Sequence, residues 1–414
     1  MSRDIYVYES FSSNDSKLMG KIMVDVVRGK EVYSFEYDQD WIKINSNYKL
    51  DPDLLFYNGR QYPIDKTLFG ILADSMPDRW GRTLMRRREN IIAKMENRKP
   101  RVLFDSDYLL GVLDETRIGA LRFKCSKDGE FQSPSNNMST PPFTSLRQLQ
   151  DLAMEIDANE NADEKWLELL LKPGSSLGGA RPKSNVVDQY GNLWIAKFPT
   201  KNDDFNIGAW EKTAIDLAMM CGLNVPESRM ENLSKYGSTF LTKRFDRDGD
   251  RRIHFASAMT LLGKTDGENG GDGISYLHIA SFIKGNGANP KSDLNELWKR
   301  IVFNMLISNT DDHLRNHGFI LCKNGWTLSP LYDVNPVPYG NNLSLLVDEF
   351  SSSISLKLAI NSCKYYELDY NEAKSIVINM TNIIKNNWER LATKNGISQE
   401  EIKLMKPAFS RCYD

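Results

Sequence analysis

The hydrophobic period changes within the first hundred residues, and that change limits the fold more than any other feature. IYVYES, KIMVDVV and VYSFEYD alternate β-branched and aromatic residues with polar ones, and Ser, Asn, Gly and Asp turn signals separate them. A small sheet fits that pattern. From about Leu68 the run LFGILADSMPDRWGRTLMRRRENIIAKME places Leu72, Met76, Trp80, Leu84 and Ile91 at helical spacing, so helices follow the sheet. With 414 residues the chain is too long for one compact core, which predicts two or three subdomains.

Composition excludes several classes. At 41% hydrophobic and 26% charged the chain is that of an ordinary globular protein, neither disordered nor fibrous. A net charge of −2 argues against a protein that coats nucleic acid non-specifically. The five cysteines, Cys125, Cys221, Cys322, Cys363 and Cys412, form no CxxC and are odd in number, so free thiols are expected rather than disulfides or a zinc site. No apolar run reaches the roughly 18 to 20 residues that cross a bilayer, and MSRDIYVYES lacks the regions of a signal peptide, so a cytoplasmic protein with no membrane partner is expected.

Along the chain, Phe131 to Ser145 is rich in Ser, Pro and Asn and reads as a linker or loop. SLRQLQDLAMEIDANENADEKWLELLL is helical in pattern and breaks at KPGSSLGGARPKS, after which NVV and LWIAKF form a hairpin through DQYGN. GAWEKTAIDLAMMCGL reads as a helix and STFLTKRFDR as a strand, and the remainder from about Tyr276 is mainly helical except for Ser308 to Tyr339. No internal repeat is present. The expected divisions are 1–125, 146–255 and 256–414. Nine Lys and Arg residues lie between Arg79 and Arg101; they either attract phosphate or an acidic partner, or form a solvated helix face.

The chemistry is concentrated in SNTDDHLRNHGFILCKNGWTLSPLYDVNP. Four residues separate Asp311 from Asn316, and Asp333 stands seventeen beyond Asn316, after two strand-like runs joined by KNG. In-line phosphoryl transfer needs a carboxylate facing the attacking hydroxyl and oxygen ligands for magnesium, and this spacing can supply both. Asp311 would orient and deprotonate the hydroxyl, and Asn316 and Asp333 would hold magnesium. A loop of Asx-type turns also carries Asp-x4-Asn, so Asp333 is what singles this one out. Spacing leaves the base open between Asp311 and Asp312, and His313 reads as a structural hydrogen-bonding residue.

A second group lies upstream. Gly178 and Gly179 would let backbone amides approach phosphate, Lys197 in a strand-like run would place an ammonium on the α and β phosphates, and Glu211 at the start of the next helix would pair with it. Taken singly, a Gly-Gly pair marks a turn and a strand lysine points to solvent; neither GxGxxG nor GxxxxGK[ST] occurs. The order of Gly turn, strand lysine, helix glutamate, Asp-x4-Asn and Asp carries the reading.

These residues resemble the HipA-type serine/threonine kinases, toxins of bacterial type II toxin-antitoxin systems. The likeness runs through YSFEYDQDWI, LFGILADSMPDRWGR, SSLGGARPKS, WIAKFP, KRFDR, SAMTLLG, SNTDDHLRNHGFI and LSPLYDVNP in the family's order. It implies an α+β, protein-kinase-like two-lobed fold with a small β-rich N-terminal subdomain and a mainly helical C-terminal domain. It further implies ATP and Mg2+ as cofactors, Asp311 as the catalytic aspartate, Asn316 and Asp333 as magnesium ligands, and Lys197 on the nucleotide. The KRFDR strand, with Phe245, would lead to an adenine-binding hinge. Ser176, beside Ser175 in the Gly-rich loop, would contact the nucleotide and be the autophosphorylation site, where added charge displaces the loop.

The same resemblance implies a protein substrate of the translation apparatus, an aminoacyl-tRNA synthetase. It also implies a helix-turn-helix antitoxin and, through that complex, operator DNA. The alternatives on this scaffold are a small-molecule kinase using the same three residues and a non-catalytic module that holds antitoxin and DNA.

Overall fold

The computed structural model describes residues 3–13, 15–45, 48–132, 140–158, 179 and 181–413. Residues 133–139 of the expected linker and 175–178 and 180 of the Gly-rich loop lie outside them. The chain divides into two compact units, Met1–Lys201 with Lys243–Ala256, and Asn202–Thr242 with Ser257–Asp414.

The first unit begins with β1 (Arg3–Glu9), β2 (Lys17–Val27) and β3 (Lys30–Tyr37), the three strands that the alternation predicts. Ile5 and Val7 of β1 and Ile22 of β2 are fully buried, as a period of two requires of one sheet face. Gly20 is demanded by close approach: a Cβ there would come within 2.4 Å of the Glu36 carbonyl oxygen. Helix α1 (Gln39–Asn45) follows, and Trp41 stacks with Tyr37 at 5.2 Å between ring centroids.

The helical pattern from Leu68 is interrupted, in contrast to the uniform spacing expected. Helix α2 (Gly70–Asp74) stops, and α3 (Arg79–Met95) starts after Pro77, whose ring disfavours helical geometry in the residue before it. Asp78 caps α3 by accepting from the Gly81 amide at 2.8 Å. The basic run from Arg79 to Arg101 is mostly exposed, and part of it is paired internally. Arg82 pairs with Asp105, Arg87 donates to the Ile156 carbonyl, and Arg98 and Arg101 close on Glu89. Hydrogen bonds from Arg98 hold the Glu89 carboxyl at about 2.

After α4 (Asp105–Leu110), β4 (Leu121–Lys124) returns to pair antiparallel with β1, giving the sheet order β3-β2-β1-β4. Nothing in the sequence reading anticipated this fourth strand. Helix α5 (Leu146–Ala158) precedes the expected hairpin of β5 (Lys183–Val187) and β6 (Leu193–Lys197). Its turn is built on Asp188, which accepts from the Tyr190 and Asn192 amides and from the Trp194 indole.

The chain then passes through α6 (Ile207–Met220), β7 (Ser228–Ser234) and β8 (Gly237–Lys243), and returns to the first unit as the short pair β9 (Arg247–Asp248) and β10 (Arg251–Arg252). KRFDR is therefore not one strand. β8 ends at Lys243, and the backbone bends over Arg244–Asp246 because these side chains turn inward. Arg244 forks onto Asp246 at 2.6 and 2.8 Å and donates to the Thr116 carbonyl at 2.6 Å; Asp246 also accepts from the Gly119 amide at 2.8 Å. A motif read as leading to an adenine hinge is thus also a buried clasp on the 114–119 loop.

The second unit is mainly helical. After β11 (Phe255–Ser257) come α7 (Ala258–Leu261), α8 (Tyr276–Asn286) and α9 (Pro290–Leu306). Leu294, Leu297, Trp298, Ile301, Val302 and Phe303 of α9 are all fully buried, the mark of a central helix rather than a surface one. The hairpin β12 (Gly318–Cys322) and β13 (Gly325–Leu328) follows, then α10 (Leu356–Ser362), α11 (Tyr370–Lys394) and α12 (Gln399–Met405). Residues 329–355 are irregular, so the non-helical stretch runs past the expected Tyr339.

Gly208, in the first turn of α6, lies against the β8 backbone: a Cβ would approach the Ser238 carbonyl oxygen to 2.1 Å. Gly208→Ala should therefore cost about 1–3 kcal/mol by overpacking, read as a lower thermal midpoint, and an unchanged midpoint would show that α6 is free to shift.

Candidate functional site

Helix α9 delivers the candidate loop. It ends at Leu306, and Ser308 takes a left-handed conformation at φ +50°, which reverses the chain. The Asn309 amide returns to the Asn304 carbonyl at 2.8 Å, and Ser308 Oγ donates to the Ala408 carbonyl at 2.8 Å. Downstream, Ser344 Oγ holds the Thr310 carbonyl at 2.8 Å. The loop is thus tied on both sides before Asp311.

The adjacent aspartates have opposite environments. Asp312 is buried, and its Oδ2 accepts from Tyr276 Oη at 2.7 Å, Asn304 Nδ2 at 2.7 Å and His317 Nε2 at 2.9 Å. Burial opposes its ionisation, yet His317 and these donors prevail and hold its carboxyl below the usual range. Burial first, and then the charge of Asp312, keeps the Tyr276 phenol far above its ordinary value, so it remains a donor. Asp311 is exposed. Its carboxyl is pushed above the usual range by loss of hydration and by the charges of Asp333 and Asp312, with His313 acting against the shift.

Asn316 is buried, and its Nδ2 donates to the Asp311 carbonyl at 2.9 Å; the His313 amide donates to that same oxygen at 2.9 Å. The Asn316 amide oxygen is thereby oriented as an acceptor, because its nitrogen is occupied. Tyr332 Oη donates to the Arg315 carbonyl at 2.6 Å and fixes the approach to Asp333, which is left-handed at φ +56°. Asp311, Asn316 and Asp333 are therefore assembled on one loop system of the second unit.

The upstream residues fall in different places. Lys197 ends β6, half-buried, in register with Lys183. Two lysines opposite each other repel, and the buried ion pair of Lys183 with Asp78 at 2.8 Å offsets this. Gly179 has φ +106° and sits near Lys183, where an added Cβ would meet Nζ at 3.1 Å. Phe245 is half-buried in the bend after β8, its ring 6.0 Å from Phe255. Glu211 is buried in α6 of the second unit. Ser175, Ser176 and Gly178 lie outside the described residues.

Sequence reasoning did not find the Tyr276, Asn304 and His317 clamp, which sits at three unrelated spacings from Asp312. Among the described residues no group of three or more His, Cys, Asp or Glu is arranged to hold a metal ion alone. No helix among them is long and apolar enough to cross a membrane.

Comparison with known proteins bears on the family and the fold. Residues 15–103 match the HipA N-terminal domain and residues 175–403 the HipA-like C-terminal domain. A chain of the Shewanella oneidensis MR-1 toxin-antitoxin complex of HipA, HipB and operator DNA superposes with a TM-score of 0.68 at 15% identity, covering 99% of this chain and 96% of that one. The HipA serine/threonine-protein kinase toxin of Shewanella oneidensis is 24% identical over 210 residues, 43% of this chain and 48% of that protein. A Haemophilus influenzae protein with a provisional kinase name is 31% identical over 197 residues, 42% of this chain and 57% of its own length. The chain thus spans about half the length of these curated relatives.

The fold is α+β and of the protein-kinase-like class. The chain belongs to the HipA family.

Proposed function

We propose that this protein is an ATP-dependent serine/threonine kinase of the HipA type, with Asp311 as the base. The observation that carries the reading is the contrast within one loop: Asp312 is consumed by three internal hydrogen bonds, whereas Asp311 is exposed beside Asp333. Asp311 would accept the proton as the substrate hydroxyl oxygen bonds to the γ-phosphorus and the bond to the β-phosphate oxygen breaks, releasing ADP.

Magnesium fits the donor set. Asn316 keeps its amide oxygen for a cation, and the repulsion that raises Asp311 would be relieved by positive charge beside Asp333. Two such hard oxygens, completed by phosphate and water, are what this ion favours. Asn316 and Asp333 would hold it, and bound there it neutralises charge on the phosphates. Lys197 and the Gly178–Gly179 turn would contact the nucleotide, Glu211 would orient Lys197, and Phe245 would lie towards the base. Ser176 would be the autophosphorylation site.

Family membership supports a protein substrate, with an aminoacyl-tRNA synthetase as the expected class. The related complex holds HipB and operator DNA. A helix-turn-helix antitoxin and, through it, operator DNA are the partners proposed here.

The test is incubation of the purified chain with labelled ATP, magnesium and a cell lysate. Transfer to protein is expected, lost on chelation of magnesium and reduced at least about a hundredfold in Asp333→Asn. Label confined to small molecules would move the reading to a small-molecule kinase, and no label in any fraction would end it.

A further inference from the structure

The clasp around KRFDR carries more positive charge than its fold requires. Arg122 and Arg252 share the Asp114 carboxylate, and Arg244 and Arg247 share that of Asp246. Buried Arg117 adds a fifth guanidinium, which donates to the carbonyls of Ser75, Leu109 and Val112. Among the described residues the one carboxylate whose charge reaches Arg117 is Asp114, already paired with Arg122 and Arg252, so the buried layer is left cationic. Arg252 Nη1 is buried with no hydrogen-bond partner among the described residues.

The strain is visible in the acid-base balance. Burial lowers Arg247 to about 9, with the charges of Arg244 and Arg252 adding to the effect. Arg252 falls to about 10, by burial and then by Arg122 and Arg244 against the pull of Asp114. Each of these arginines is less content as a cation than it is in water.

A cavity of about 310 Å³ opens on this layer, wholly within the first unit, and its walls include Lys243, Arg244, Arg247 and Arg252. Tyr190, from the β5–β6 turn and exposed over most of its surface, stands at the edge with the Asn192 side chain. Glu115 and Asp250 also line the cavity, but both are exposed, where water and salt screen them; the arginines behind them are not screened.

We propose that this cavity binds a small ligand carrying phosphoryl groups. A dianion matches the charge surplus, and guanidinium forks pair with phosphoryl oxygens two at a time. The volume exceeds one phosphate, which favours a diphosphate-sized occupant. The inference does not depend on the kinase reading, because none of these residues belongs to the Asp311 loop.

Calorimetric titration of the full chain at low salt, with chelator present to keep magnesium out, tests it using inorganic phosphate and pyrophosphate. Saturable pyrophosphate binding is expected, weakened at least about tenfold by Arg252→Gln and by Lys243→Gln, the loss of one charged hydrogen bond. Lys197→Gln should leave it within about twofold. Arg252→Gln also removes a bond to Asp114, so Lys243→Gln and Tyr190→Ala, checked by thermal melting, keep the test sound if that variant misfolds. Pyrophosphate should also raise the melting temperature of wild type more than that of Lys243→Gln. Absence of saturable binding, or binding abolished by Lys197→Gln and kept by the cavity variants, overturns the proposal.

Discussion

Asp311→Ala is expected to lower phosphoryl transfer by about a hundredfold to ten-thousandfold, the range for loss of a positioned base, without unfolding the protein. Asp311 is exposed and holds none of the hydrogen bonds that shape the loop through its carboxylate; Asn316 and His313 use its backbone carbonyl, which alanine keeps. The sign of its acid shift sharpens the expectation. A carboxyl raised in the folded state is less stable ionised there than in the unfolded chain, so above the ordinary carboxylate pKa it costs stability that falling pH restores. Asp311→Ala should thus melt no lower than wild type at neutral pH. The same shift predicts that the acid limb of the rate profile lies higher than for an unperturbed carboxylate. Phosphate incorporation and thermal melting measured together decide the matter: transfer retained in the variant would remove Asp311 from the chemistry.

Asp312→Ala should do the reverse, with about 3–5 kcal/mol lost from the second unit. Tyr276, Asn304 and His317 all converge on Asp312 Oδ2, and its removal leaves three buried donors without an acceptor. Transfer should fall as well, because the clamp holds Asp311 and Asn316 in place. Asp312→Asn should be milder, since its amide oxygen can still face the donors. Asp312 has a depressed pKa in the fold, so its contribution is present above the unfolded value, about 3.9, and is lost as pH falls below it. Thermal melting between neutral pH and about pH 3 should therefore narrow the gap between wild type and Asp312→Ala. A variant as stable as wild type would show that the clamp is idle.

The contrast between these aspartates shows where the sequence stops being informative. Spacing brought Asp311, Asn316 and Asp333 forward together because a loop and a following hairpin keep them close along the chain. It could not separate Asp311 from Asp312, since the difference comes from Tyr276 and Asn304, on two helices that precede the loop. The strands β1 to β3 and the β5–β6 hairpin were legible for the same local reason: alternation and turn residues act over a few positions. β4 was not, because its partner β1 lies over a hundred residues away and four residues carry too little pattern. The basic run from Arg79 to Arg101 was legible as charge and largely as surface, since most of it is exposed; the partners of Arg82, Arg98 and Arg101, namely Asp105 and Glu89, were not.

The amino-acid sequence alone settled the change from sheet to helix, the order of the chemical groups and the family they belong to, all of which rest on residues near one another or on a repeated order. Tertiary structure decided which of two neighbouring carboxylates faces solvent, that KRFDR bends into a buried clasp, and that its arginines outnumber their carboxylates around a cavity. Those outcomes depend on burial and on partners distant in sequence, and free energies of that kind have no period along a chain.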